Sequence, residues 1–167
     1  MKNLFRTAEG KAGRLAAHIG EGLLAGVIGT AAITLSRTID MKISKEKESS
    51  TPADAASKTL GVQPNSEEEK KKFSTIVHWL YGTAWGAAKG VLNFAGIKGW
   101  KGTLLQFAAV WGAEMVMLPS LKVAPAVKGW SAKQLVKDGF HHIVYTIIAG
   151  LVFDELHKQS KLALANS

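Results

Sequence analysis

Residues 23–35 read Leu-Leu-Ala-Gly-Val-Ile-Gly-Thr-Ala-Ala-Ile-Thr-Leu, thirteen positions without a charge. Wound at 3.6 residues per turn, this stretch is apolar on every side, whereas a helix of a water-soluble bundle keeps a charged face opposite its buried stripe. Glycine inside such a helix weakens it in water by about 1 kcal/mol relative to alanine, but in lipid it lets two helix backbones approach closely. The stretch therefore predicts a helix surrounded by lipid and protein.

Working outward, 23–35 is the centre of a first apolar run at 15–36, with His18 and Glu21 near its start. Three more runs follow at 73–97, 102–121 and 140–156. Crossing a bilayer core takes about 20 residues, so the first three runs are long enough and the fourth is marginal. The expected architecture is all-α: a polytopic membrane bundle of about four transmembrane helices over residues 15–157. A basic tail at 1–14, a polar connection at 37–72 holding a short amphipathic or interfacial helix, and a C-terminal tail at 158–167 complete it. The basic residues of the first tail also fit a signal peptide, but the run behind them is long for one and no small-x-small cleavage site follows, so a retained helix is expected.

Charge distribution points the same way. The chain carries 21 Lys and Arg against 13 Asp and Glu, net +8, at a mean hydropathy of +0.07. Segment 37–72 is nearly neutral, and the excess lies beside the apolar runs, as in Lys2, Arg6, Lys11 and Arg14, or Lys122, Lys128, Lys133 and Lys137. Such flanking suits lipid headgroups. No Arg-rich helix with interleaved aromatics is present, which argues against nucleic acid as a partner. Cysteine is absent, excluding disulfides and thiolate sites.

The connections carry start and stop signals. Thr51-Pro-Ala-Asp54 predicts a helix start, Gly61 its end, and Ser66-Glu-Glu-Glu69 a capping box opening the second long helix. Ser131-Ala-Lys-Gln134 is a similar start, read as a short interfacial helix leading past Gly139 into the fourth run. Pro119 is expected to end the third run.

Segment 76–93, Ile-Val-His-Trp-Leu-Tyr-Gly-Thr-Ala-Trp-Gly-Ala-Ala-Lys-Gly-Val-Leu-Asn, places Gly82, Gly86 and Gly90 four apart on one helix line. Gly22, Gly26 and Gly29 form a matching line on the first run. Both are helix-packing faces, and oligomerisation through a glycine face is expected. His78 lies on the second stripe, Glu114 in the third run and His142 in the fourth, in a sector shared with Thr146, Ala149, Phe153 and His157; His141 points elsewhere. A bundle turning these sectors inward gives a polar intramembrane site of His78, Glu114 and His142. Lys89 is expected away from the deepest level, snorkelling towards headgroups.

For that site, hydrogen bonding that fixes helix packing competes with proton or small-solute passage and with metal or haem binding through His78 and His142. No Gly-Lys-Ser/Thr phosphate loop, GxSxG elbow or HExxH occurs, so no enzyme, catalytic residue or cofactor is expected. A soluble basic helical binding protein is the alternative from another class.

Four motifs in order, Gly22-x-x-Ala25-Gly26-x-x-Gly29-Thr30, His78-x-x-x-Gly82-x-x-x-Gly86, Trp111-x-x-Glu114-x-x-x-Leu118-Pro119 and His142-x-x-Tyr145, resemble the YagU-like group of small bacterial inner-membrane proteins. The resemblance implies a multi-helix protein of the bacterial inner (cytoplasmic) membrane with no established biochemical role. From the residues themselves, an accessory or structural role or a small-solute or proton path is expected, in a homo-oligomer or as a subunit of a larger membrane complex.

Overall fold

A computed structural model describes residues 2–45 and 51–166. Among them the chain is all-helical: α1 (Lys2–Ser44), α2 (Thr51–Leu60), α3 (Glu67–Phe94), α4 (Gly99–Ser120), a 3-10 turn (Val127–Gly129) and α5 (Ala132–Ala165). Two helices are long and apolar enough to cross a membrane, over Gly10–Ser44 and Ala132–Ala163. In α3 and α4, Lys89, Asn93, Gln106 and Glu114 dilute the apolar character, although 22 residues of α4 reach about 33 Å, a bilayer core's thickness.

Local chemistry sets the boundaries. Ser66 caps α3 by accepting from the Glu69 backbone N–H at 3.2 Å, while the Glu69 carboxylate accepts from Asn65 N rather than Ser66 N. Ser131 and Gln134 form a complete capping box at the start of α5. From there α5 runs unbroken through Gly139, which corrects the expectation of a separate lead-in helix. The reason is tertiary: a Cβ on Gly139 would meet the Trp111 ring at 3.1 Å, so glycine serves here for close packing, not as a stop. Likewise α1 begins at Lys2, so the basic tail is helical. Pro119 sits in the last turn of α4, and the chain leaves the helix at Leu121.

The four long helices alternate in direction. Gly90 lies against His18, Gly86 against Gly22 and Gly26, and Gly82 against Thr30, an antiparallel register of α1 on α3. Glu21 meets His157 and Ser36 meets His141, so α5 is also antiparallel to α1. Helix α4 closes the bundle, Thr103 facing Gly150 and Glu114 facing His142. At Gly22, Gly26 and Gly86 an added Cβ would collide with backbone atoms of the partner helix, so only hydrogen fits. Gly29 turns instead to Ala149 and Tyr145 of α5. The two glycine lines thus face each other within one chain, and the stripe expected to join copies is already occupied.

Small helix α2 packs on α3, and its Lys58 donates to the carbonyls of Leu121 and Lys122 just past α4. Asp54 bonds Lys70 of α3 at 2.8 Å, and this hydrogen bond holds the ammonium above the ordinary lysine range. Because the folded pKa is raised, the contribution is present at neutral pH and lost only as pH climbs through that raised value.

Candidate functional site: two polar layers

Interior polar groups collect in two layers separated by an apolar belt. Glu21 and Arg37, one in each layer, are sixteen residues apart on α1, about 24 Å along the helix. Between them lie Ile33, Val110, Tyr145 and Ala149, packed with Trp85. The hydroxyls in the belt are satisfied locally: Thr30 donates to Gly26 O at 2.7 Å, and Tyr145 to Gly82 O at 2.6 Å. Gln106 donates to Trp85 O at 3.1 Å.

The layer near the α1 C-terminus centres on Asp138, which one turn of α5 sets below His142. Its carboxylate accepts from Arg37 Nη2 and Trp111 Nε1, both at 2.9 Å. His142 Nε2 lies 2.8 Å from Glu114 Oε2, while its Nδ1 is 3.0 Å from the Asp138 carbonyl. A carbonyl only accepts, so Nδ1 carries a hydrogen. One further proton must then lie between Nε2 and Glu114, whether as imidazolium and carboxylate or as imidazole and carboxylic acid. Ser36 meets His141 at 2.8 Å, and Asp40 joins Lys137 at 2.7 Å.

Of the expected triad, the structure brings Glu114 and His142 together and leaves His78 apart, its Nε2 3.0 Å from Thr34 Oγ1. His142, Thr146, Ala149 and Phe153 are buried, as is His141, which turns to Ser36 of α1 while His142 turns to Glu114 of α4. Arg37, Asp138 and Trp111 were not foreseen as site residues. The i,i+4 spacing of Asp138 and His142 was the available signal.

The layer near the chain ends holds Lys89, His18, Glu21, Asp154 and His157. Lys89 is 0% exposed, its ammonium donating to Gly99 O at 3.0 Å and Thr103 Oγ1 at 2.9 Å, with Asp154 at 3.7 Å. Snorkelling is thus corrected: carbonyl, hydroxyl and carboxylate acceptors inside the bundle replace the headgroups. His157 Nδ1 lies 2.8 Å from Glu21, and the His18 and His157 rings are 4.5 Å apart.

Comparison with protein-family models, curated proteins and solved structures finds no match. Chemistry must therefore be argued from these residues alone. Among the described residues, two groups offer metal-ligating atoms within 4.8 Å of one another: Glu114, Asp138 and His142, and His18, Glu21 and His157. Neither includes His78. In the first group both Asp138 oxygens are engaged and Arg37 brings a positive charge, which suits it to holding α1, α4 and α5 together rather than to a cation.

Proposed function

We propose that this chain is a four-span protein of the bacterial inner membrane acting as an accessory or structural subunit, alone in copies or within a larger membrane complex. One observation carries the reading: the polarity of the bundle is inverted. Leu24, Leu80, Val116 and Leu151, one from each long helix, are 60%, 65%, 68% and 64% exposed, while Lys89, Gln106, Thr30 and Thr146 are among the largest fully buried side chains. Water penalises that arrangement and lipid favours it. The resemblance of its motif order to the YagU-like group, read from the sequence, points to the same location. A transport role has one point in its favour, a His–carboxylate pair in each polar layer. Against it, Thr30, Gln106 and Tyr145 between the two layers donate to backbone carbonyls as packing contacts, so the accessory role is preferred.

The chain's lack of cysteine gives a clean test. Cysteines at Leu24, Leu80, Val116 and Leu151 should resist a membrane-impermeant maleimide in intact membranes and react once detergent is added. A soluble protein would react at all four without detergent and leave the membrane fraction in carbonate. Single cysteines in the connections test orientation. Connections one and three hold twelve Lys and Arg against eight in the tails and second connection, so the positive-inside rule puts both in the cytoplasm. Asn65→Cys and Gly129→Cys should then be shielded in spheroplasts and labelled after lysis; labelling in intact spheroplasts would reverse the orientation.

A further inference from the structure

We propose that His18, Glu21 and His157 form a binding site for a divalent first-row transition metal, Zn²⁺ by preference, at the end of the bundle where both chain termini lie. His18 and Glu21 are three residues apart on α1 and so share a face, which α5 meets with His157. One ligand atom from each lies within 4.8 Å of the others. Bonds of about 2.0–2.2 Å around a tetrahedral ion need ligand atoms about 3.3 Å apart, which small side-chain rotations reach from here.

The ligand orientation is already set. His18 Nδ1 lies 2.7 Å from the Arg14 carbonyl, so Nδ1 carries the hydrogen and Nε2 presents its lone pair, the arrangement a carbonyl partner imposes on a metal-bound histidine. Phe94 packs edge-on to the His18 ring and Phe153 stacks on His157, fixing both imidazoles in an apolar wall. Glu21 is bonded to His157, and no Lys or Arg stands within salt-bridge distance of it among the described residues. This distinguishes the group from Glu114, Asp138 and His142, where Arg37 already neutralises the carboxylate. Metal entry replaces the His157–Glu21 hydrogen bond by coordination to both.

Two imidazoles and a carboxylate without thiolate select Zn²⁺, Co²⁺, Ni²⁺ or Fe²⁺ over Mg²⁺, Ca²⁺ and Cu(I). Three protein ligands leave a coordination position open. His18 and His157 line an open cavity whose rim carries Lys11, Arg14, Lys98 and Lys161. These cations favour an anionic fourth ligand such as phosphate or a carboxylate on the bound metal.

The test is Co²⁺ titration of the full chain in detergent micelles with any polyhistidine tag removed. One Co²⁺ per chain should bind, with visible d–d bands that Zn²⁺ abolishes by displacement. His157→Ala and Glu21→Gln should each lower the affinity at least ten-fold, while Glu155→Gln, at an exposed carboxylate of α5, leaves it unchanged. Circular dichroism reports whether each variant is folded. Independently of any variant, pulsed EPR on the Cu²⁺-loaded wild-type chain should count two coordinated imidazoles. Absence of Co²⁺ binding, fewer than two imidazoles, folded His157→Ala and Glu21→Gln that bind normally, or loss of binding in folded Glu155→Gln would each overturn the site.

Discussion

Gly86→Leu is expected to force α1 and α3 apart and to unfold the bundle in detergent well below the wild-type temperature. A Cβ at position 86 would overlap Gly22 O and the Gly26 backbone, and these atoms cannot rotate away as a side chain would. Overpacking ordinarily costs about 1–3 kcal/mol, and the rigid neighbours here put the loss at or above that upper end. Leu92→Ala, at a half-buried position on the same helix, trims a side chain without moving a backbone and should be much milder. Thermal denaturation in detergent and an α1–α3 cysteine crosslink would measure both. Equal losses would mean that the crossing is looser than the glycine contacts require.

Glu114→Gln and His142→Ala should each destabilise strongly and together lose much less than the sum. The two side chains are only 21% and 8% exposed, and removing one partner of a buried pair typically costs about 3–5 kcal/mol because the other charge is left without compensation. A double-mutant cycle should therefore return a coupling of about 1–3 kcal/mol. His78→Ala should be additive with Glu114→Gln to within about 0.5 kcal/mol, since His78 bonds Thr34 and not the carboxylate. Coupling between His78 and Glu114 as large as that of the His142 pair would contradict the separation of these groups. Unchanged stability in Glu114→Gln would remove the pair from the list of contacts holding α4 to α5.

Periodicity made the helices and their packing line legible. Gly22, Gly26, Gly86 and Gly90 announce close approach because small residues four apart have few other uses in an apolar helix. Ser66 and Ser131 declare helix starts because their caps are local. Glu114 and His142 could be named as inward-facing because an ionisable group inside an apolar run must find a partner. What one sequence could not supply was the rotation of each helix about its axis. Arg37 and Asp138 are separated by 101 positions, and nothing local links a residue at the end of one run to one before the start of another. The same gap hid the pairing of Glu21, which reads as an interruption near the start of the first run, with His157, which reads only as a member of the His142 sector. Lys89 was misjudged because the reach of a lysine is known from sequence, but the acceptors at Gly99, Thr103 and Asp154 are not.

On the proposed four-span reading, those acceptors have a consequence for the order of events on the ribosome. Lys89 belongs to α3, yet every partner of its ammonium is made later, two on α4 and one on α5. A lysine delivered to lipid without partners costs up to about 2.5–3.5 kcal/mol at mid-membrane, less near a helix end. Released by itself, α3 would carry that penalty; released with α4, it brings the Gly99 carbonyl and Thr103 hydroxyl along. The connection between them spans only residues 95–98, so the pair can leave the insertion machinery as a single hairpin. Asp154 then arrives last and locks the ammonium in place, making completion of α5 the step that commits the membrane-inserted chain to its final packing.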